Sequence, residues 1–169
     1  MRDRVRADYE WVFRTTYPAV VRTAFVIVRE RGLAEEVAQD AFVRLYERWD
    51  GVVEREQPQG WVHAVAVRVA VRMAVRQARR RRERSTVAAI EERPVHDTVI
   101  DVDLHRALGR LPPRQRAAVA LYYLEDRPVA EIASLLDVSE STVRQHLHRA
   151  RARLVVLAGG EPEVAGDVG

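Results

Sequence analysis

The sequence predicts an all-α protein made of two small helical domains. Apolar residues recur at helical spacing along most of the chain, and the charge changes sharply near residue 85. Residues 61–84 hold eight Arg and one Glu, whereas residues 85–105 hold five acidic residues and one Arg. Such a switch marks a boundary between segments. We therefore expect a helical domain at 1–84, a flexible acidic linker at 85–102, a second helical domain at 103–157 and a flexible tail at 158–169.

Two helices are predicted before residue 50. The first covers apolar residues between 11 and 28 and contains Pro18, which we place near a helix start because its missing N–H is tolerated there. The second has a sharper pattern, in which apolar residues step by four. Its buried stripe is expected to consist of Leu33, Val37, Ala41, Leu45 and Trp49, widened by Ala38, Phe42 and Tyr46.

A third helix is predicted from Trp61 to Arg84, where Arg recurs every four residues and lines one face. Like charges at this spacing cost helix stability, so we expect a partner that compensates for them. Nucleic-acid phosphates are the natural candidate, because they release counterions on binding. The alternative is an ordinary basic helix in an Arg-rich protein. The stripe consists of Arg68, Arg72, Arg76 and Arg80.

The second domain has the helix-start and turn residues expected of a helix-turn-helix. A helix is expected from about residue 114 to 124, because Pro113 suits a first turn. A turn at 125–128 closes it, and a second turn at 137–139 ends the short helix that follows. That short helix is expected to bury Val129, Ile132, Ala133, Leu135 and Leu136.

The last predicted helix runs from Glu140 to Val156, with Ser139 as its N-cap. Its inward stripe is expected to be Val143, Leu147, Ala150 and Leu154. The opposite side carries the chemistry that reads a DNA major groove, since Arg binds guanine edges or phosphates and Gln binds adenine. Hydroxyl groups at the helix N-terminus suit a phosphate. The alternative is a helical hairpin used only for protein contact. The candidate DNA-contact residues are Ser141, Thr142, Arg144, Gln145, His148 and Arg149.

A family resemblance covers this domain. Region 4 of bacterial sigma factors, particularly in the extracytoplasmic-function (ECF) group of the sigma-70 family, is similar to the run LPPRQRAAVALYYLEDRPVAEIASLLDVSESTVRQHLHRARARL. The resemblance implies that the last helix reads the −35 promoter element and that the domain docks on the flap of the polymerase β subunit. Asp137 and Ser141 stand where the family often has Gly. Asp tolerates the left-handed conformation of such a turn, so we expect the fold to survive.

The resemblance extends to the first domain. The run AEEVAQDAFVRLYERW, which begins at Ala34, resembles sigma region 2.2, whose helix grips the clamp helices of the polymerase β′ subunit. It implies that Leu45 and Trp49 support this helix from the core. The implied polymerase contacts are Gln39, Asp40, Arg44 and Glu47.

Trp61-Val-His-Ala-Val-Ala-Val-Arg resembles the start of the helix that melts the −10 element. The loop before it, expected at 51–60, would hold an unstacked base. This chain departs from the family because no aromatic residue precedes Trp61 in that loop and Arg68 replaces a common Asn. The implied −10 contacts are Gln57, Gln59, Trp61, His63, Arg68, Arg72, Arg76 and Arg80.

The composition argues against an enzyme. The chain has no Cys, and all 28 basic residues are Arg, so thiolate metal sites and catalytic lysines are excluded. No nucleotide-binding, metalloprotease or nucleophile-elbow motif is present. His146 and His148 are two residues apart and do not share a helix face, so they make a poor metal pair. We expect no cofactor and no metal. No apolar run is long enough to span a membrane, and the expected site of action is cytoplasmic.

Three function classes remain open. A sigma factor would bind core RNA polymerase through the β′ clamp helices and β flap, recognise both promoter elements and help open the DNA. A free-standing transcriptional regulator would bind duplex DNA without polymerase. The third class is an enzyme acting on nucleic acid. The resemblance favours the sigma factor and adds an anti-sigma factor as a candidate partner.

Overall fold

A computed structural model describes residues 2–54, 57–84 and 102–159. These residues form eight α-helices and one π-helical turn, and none of them lies in a strand. The all-α prediction is therefore confirmed. The chain divides into two compact units, residues 1–80 and 81–169. The predicted linker and tail lie largely outside the described residues, which leave out 85–101 and 160–169.

The first unit contains α1 (Arg2–Val28), α2 (Arg31–Glu47), α3 (Trp49–Val53) and all but the last four residues of α4 (Pro58–Arg84). The predicted stripe of α2 is confirmed at its centre, because Val37, Ala41 and Leu45 are buried. Leu33, at the start of the stripe, is half-buried, and Trp49 is buried but belongs to α3. None of the described helices is long and apolar enough to cross a membrane.

Aromatic side chains join α1 to α2, which pack along each other. The Phe13 and Phe42 rings meet edge-on at 4.9 Å, and the Tyr9 and Tyr46 rings do so at 5.3 Å. The Tyr9 hydroxyl also donates a hydrogen bond of 2.9 Å to the Phe42 carbonyl. Burial raises the pKa of Tyr9, and neighbouring Tyr46 raises it further. Aromatic pairs of this kind contribute about 0.5–1.5 kcal/mol beyond the area they bury. These aromatic contacts therefore set how α1 lies against α2.

Pro18 corrects the predicted start of the first helix. It lies inside α1, rather than near the beginning. A proline inside a helix costs about 3 kcal/mol, because it removes one hydrogen bond and crowds the preceding turn. The segment just beyond it is buried on all sides, since every residue from 23 to 28 is buried. Tertiary burial therefore keeps α1 continuous across a residue that would end an isolated helix.

Two further predictions in this unit were wrong. Tyr46 was expected in the buried stripe of α2 but is 66% exposed, because it stands at the edge of the stripe and its ring packs against Tyr9 from outside. The loop expected at 51–60 is shorter, since α3 includes Gly51 and α4 begins at Pro58. Buried Val52 holds α3 against the core, and proline favours the first turn of a helix.

The second unit contains α5 (Val102–Gly109), α6 (Pro113–Val119), a π-helical turn (Ala120–Leu124), α7 (Val129–Leu136) and α8 (Glu140–Leu157). Helix α8 packs against both α6 and α7. The predicted helix at 114–124 is correct in position, but its last five residues widen into the π turn. Tyr123 consequently lies on the exposed side, although it is four residues beyond buried Val119. Val129 and Leu154, both predicted as buried, are half-buried.

The turn between α7 and α8 has the predicted features. Asp137 adopts the left-handed conformation, with φ 55° and ψ 51°. The backbone N–H of Val138 donates to the Ala133 carbonyl at 3.0 Å, which satisfies one of the last carbonyls of α7. Ser139 caps α8, because its Oγ accepts a hydrogen bond of 3.1 Å from the Thr142 backbone. These contacts fix the start of α8 relative to α7.

Leu45→Ala should lower the free energy of unfolding of the first unit by about 2–5 kcal/mol, because the removed side chain leaves a cavity in a fully buried site. Val43→Ala on the exposed face of α2 is the matched control and should change stability by less than about 0.5 kcal/mol. Urea melts followed by Trp fluorescence measure this unit alone, since all three Trp residues lie in it. Equal losses in the two variants would contradict the assignment of Leu45 to the core.

Candidate nucleic-acid interface

The exposed side of α8 carries most of the predicted −35 contacts. Arg144, Gln145, His148 and Arg149 are all exposed there. On the opposite side Val143, Leu147 and Ala150 are buried. Residues three and four apart are neighbours on a helix surface, so the four exposed side chains form one continuous patch. The core contacts of α8 hold this patch at a fixed orientation within the unit.

Hydroxyl groups cluster at the N-terminus of α8. The Ser139 Oγ lies 2.9 Å from the Ser141 Oγ and 2.8 Å from the Thr142 Oγ1. Ser141 is exposed, whereas Thr142 is half-buried. Arg144 is turned toward the same end, because its guanidinium lies 2.9 Å from a carboxylate oxygen of Glu140. The predicted hydroxyl and Arg contacts are therefore brought together at the first turn of the helix.

His146 lies on the inner edge of α8. Burial lowers its pKa below the usual 6.5, and the positive charges of Arg114 and Arg149 lower it further. Its Nδ1 atom is buried without a hydrogen-bond partner in the described part of the chain. The imidazole is therefore neutral at pH 7. Since the charge of Arg114 acts on His146, this exposed α6 residue lies near α8, which the sequence patterns did not indicate.

Arg151 has a different role from its neighbours on α8. Its Nε donates a hydrogen bond of 2.5 Å to the Tyr123 hydroxyl, and its guanidinium lies 5.8 Å from the centre of the same ring. The contact ties α8 to the π turn. Since Tyr123 became exposed only through the widened π turn, the sequence alone could not indicate this pairing.

On α4, all four residues of the predicted Arg stripe are exposed; they are Arg68, Arg72, Arg76 and Arg80. Steps of four residues advance about 40° around a helix, so the stripe winds slowly around α4. Such a row of guanidinium groups can bind successive phosphates.

The other predicted −10 contacts divide by burial. Gln57 is exposed, and Gln59 and Trp61 are half-buried. The Gln59 Oε1 atom is buried and has no hydrogen-bond partner in the described part of the chain. His63 is only 6% exposed, so the structure does not place it at the surface. The reason is its position beside Val62 and Ala66 on the buried face of α4, where no exposed base could reach it.

The predicted polymerase contacts lie on the outer face of α2. Gln39, Arg44 and Glu47 are exposed and Asp40 is half-buried. The Arg44 guanidinium lies 2.9 Å from an Asp40 carboxylate oxygen. Sequence reasoning missed two apolar members of this face, since Val43 and Tyr46 are exposed between the charged residues. The α2 face is defined as Gln39, Asp40, Val43, Arg44, Tyr46 and Glu47. The only sequence signal for its two apolar members was an apolar pattern on α2 that is wider than one buried stripe.

Two family profiles match the chain. Sigma-70 region 2 matches residues 12–81, and Sigma-70, region 4 matches residues 101–154. The RNA polymerase sigma-E factor of Streptomyces avermitilis is 30% identical over 151 residues, which cover 87% of this chain and 83% of that protein. The chain belongs to the sigma-70 family. The ECF RNA polymerase sigma factor SigM of Mycobacterium tuberculosis (strain H37Rv) is 31% identical over 164 residues, or 91% of this chain and 79% of the relative.

A solved sigma factor has the same fold. RpoE of Bartonella quintana, crystallised with the anti-sigma factor NepR, superposes with a TM-score of 0.70 at 19% identity, covering 90% of this chain and 97% of that one. Of the three function classes that the sequence left open, membership of this family selects the sigma factor. This sigma factor of the ECF group binds core RNA polymerase and recognises promoter DNA to start transcription, and the family is not enzymatic.

Lowering the pH from 6.5 through the folded-state pKa of His146 should destabilise the second unit of this sigma factor. The unfolded chain binds the proton first, because its His pKa is the higher of the two. His146→Gln should remove this part of the pH dependence, whereas His148→Gln on the exposed side of α8 should keep the wild-type profile. Urea melts followed by circular dichroism between about pH 7.5 and 5.5 measure the effect. A His146→Gln protein that loses stability as steeply as the wild type would contradict it.

Proposed function

We propose that α8 reads the −35 element through Gln145 and Arg149, while Arg144 contacts a phosphate. The observation that carries this assignment is the exposed patch of α8, held by three buried residues behind it. Gln145 and Arg149 are one turn apart on one side of the helix, so they can contact neighbouring base pairs. Arg144 already faces a carboxylate at the N-terminal end, where a phosphate would find both its charge and the hydroxyl groups of Ser141 and Thr142.

We propose that α4 holds the −10 region. The exposed Arg stripe would bind phosphates, and the residues before it would hold the unstacked base. Gln57, Gln59 and Trp61 are the candidates for base contact, because they are at least partly exposed. Buried His63 supports α4 from inside the unit rather than touching DNA.

The α2 face is proposed as the contact with the β′ clamp helices. Its exposed Val43 and Tyr46 supply apolar area for a stable contact, and tyrosine is frequent among residues that dominate binding energy. The Asp40–Arg44 pair is about half exposed on each side, and a pair of that kind contributes only about 0–1 kcal/mol. Exchanging this pair for partners on the polymerase therefore costs little.

The second unit has an apolar surface that we propose as the contact with the β flap. Tyr123 and Leu124 of the π turn are exposed, as are the last apolar residues of α8. The Arg151–Tyr123 contact brings the π turn alongside α8. The α8 residues concerned are Val155, Val156 and Leu157.

We further propose that residues 85–102 link two DNA-binding domains, which extend over 1–84 and 103–157. We also propose that the protein acts in the cytoplasm, where RNA polymerase works. An anti-sigma factor is a proposed regulator of this chain. The RpoE of Bartonella quintana was crystallised with such a factor. An inhibitor of this kind would compete with polymerase for the α2 face or for the exposed apolar surface of the second unit.

Alanine at Gln145 or Arg149 should each cost about 1–3 kcal/mol of promoter binding and relax the preference at one −35 position. Arg144→Ala is the matched control on the same helix and should weaken all −35 sequences alike. Holoenzyme affinity for promoter fragments with single −35 substitutions measures both effects. A uniform loss across sequences for Gln145→Ala and Arg149→Ala would remove them as base readers.

Asp40→Arg should leave the fold intact and weaken binding to core polymerase, because it reverses a charge in the α2 face. Tyr46→Ala should weaken binding as well, since it removes exposed apolar area. The control is Asp8→Arg, which reverses the charge of an exposed side chain on α1. Pull-down with core polymerase measures binding, and circular dichroism reports folding. If both α2 variants retained polymerase as well as Asp8→Arg, the proposed face would be wrong.

A further inference from the structure

The π turn of the second unit places two large apolar side chains outside the core. The residues from Val119 to Leu121 are buried, whereas Tyr123 and Leu124 are each 52% exposed. The hydrogen bonds of a π turn span one residue more than those of an α-helix, so the residues that follow are rotated away from the buried side. Single π turns of this kind are rare and occur frequently at functional sites.

The backbone that leaves the π turn is fixed by Arg127. Its N–H donates to the Leu121 carbonyl at 3.1 Å, and its guanidinium lies 2.7 Å from a carboxylate oxygen of Glu125. The same guanidinium pairs with Glu131 in the first turn of α7. These contacts hold the end of the turn against α7, and they leave the ring of Tyr123 to be placed by another contact.

Arg151 of α8 supplies that contact. Its Nε donates a hydrogen bond of 2.5 Å to the Tyr123 hydroxyl, across 28 residues of sequence. The bond is charge-assisted, because an Arg side chain stays protonated. An exposed Tyr ring has several staggered rotamers available, and the bond selects the one that points toward α8.

Arg151 also stands between the two parts of the exposed apolar surface. One part is the pair of side chains on the π turn, and the other is the end of α8 from Val155 to Leu157. Arg151 precedes Val155 by one turn, so the two side chains are neighbours on the surface of α8. The bond to Tyr123 therefore links segments that are distant in sequence into one surface.

The bond also separates Arg151 from the candidate DNA contacts. Arg144, His148 and Arg151 follow one another along one edge of α8, and all three are exposed. An Arg at the third position would suit a further phosphate if its guanidinium were directed at DNA. The guanidinium is instead directed at Tyr123, on the side of the apolar surface.

We propose, on the basis of the proposed flap contact, that Arg151 is a positioning residue, which holds Tyr123 and the π turn in the arrangement that the polymerase β flap binds. A contact of this kind changes affinity by no more than the factor by which it favours the bound arrangement. For one hydrogen bond that factor is about threefold to tenfold.

Substitutions at the two bonded residues separate positioning from direct contact. Tyr123→Phe keeps the ring and its apolar area but removes the hydroxyl group that accepts the bond. Arg151→Gln removes the guanidinium, whereas Arg151→Lys keeps a charged donor. The control Arg153→Gln removes the same charge at an exposed position two residues further along α8. Gln has a helix propensity similar to that of Arg, and circular dichroism checks that each variant folds.

The first measurement is the affinity of the full chain for immobilised core polymerase. Tyr123→Phe and Arg151→Gln should each weaken binding by about threefold to tenfold. The double variant should bind no more weakly than either single variant, because both substitutions remove the same bond. Arg151→Lys should recover most of the affinity, and Arg153→Gln should bind like the wild type. On core polymerase with a truncated β flap, all of these proteins should bind alike.

The second measurement is the preference of holoenzyme among promoter fragments with single −35 substitutions. Loss of a merely structural contact would disturb α8 and change this preference. A positioning role leaves the preference unchanged in both Tyr123→Phe and Arg151→Gln. A phosphate contact of Arg151 would instead weaken binding to every promoter in Arg151→Gln and leave Tyr123→Phe unaffected, which would overturn the proposal.

Wild-type affinity of Tyr123→Phe for core polymerase would overturn the positioning role, as would equal losses in Arg151→Gln and Arg153→Gln. Losses that multiply in the double variant, or that persist on the truncated flap, would overturn it as well.

Leu124→Ala tests the apolar surface separately. If it weakened binding while the variants at Tyr123 and Arg151 did not, only the positioning role would be wrong. If it bound like the wild type while those two variants showed the coupled, flap-dependent loss, the positioning role would stand and the proposed extent of the apolar surface would be wrong.

Discussion

Burial of one helix face is the constraint on which every proposed contact surface depends. Helices α2, α4 and α8 each place small and branched apolar residues inside and charged residues outside. Fully burying a side chain such as Leu45 or Leu147 contributes about 1.5–3 kcal/mol, whereas an exposed ion pair such as Arg144–Glu140 contributes about 0–1 kcal/mol. The core therefore fixes where the charged side chains stand, and those side chains remain available for polymerase and DNA.

Electrostatic recognition in this protein is local. The net charge of +3 conceals a strong separation, because the basic end of α4 and the outer side of α8 carry much of the positive charge. Since all 28 basic residues are Arg, the exposed ones can contact a phosphate or a guanine edge with a planar group that stays protonated. The α2 face is mixed in sign and partly apolar, which suits a protein partner rather than a polyanion. The two kinds of surface are thus distinguished by their chemistry.

Much of the fold follows from patterns that extend over several turns. The stripe of α2, the inward residues of α8 and the Ser139 cap could be predicted because each is a local rule that tertiary packing reinforces. The errors arose where packing overrode a local signal. Pro18 lies within α1 because buried residues continue beyond it, and the π turn moves Tyr123 outward by changing the helical period. The burial of His63 and the exposure of Val43 depend on the position of neighbouring helices, which no single-helix pattern contains.

This chain directs core RNA polymerase to promoters, and we propose that it does so through two DNA-contact surfaces carried on α4 and α8. The most direct measurement is run-off transcription by purified core polymerase on a library of random template fragments, with and without the protein. We expect transcripts only when the protein is present, from templates that share two sequence elements at a fixed spacing. Transcription that does not depend on the protein, or selected templates with a single element bound equally well without polymerase, would contradict the claim.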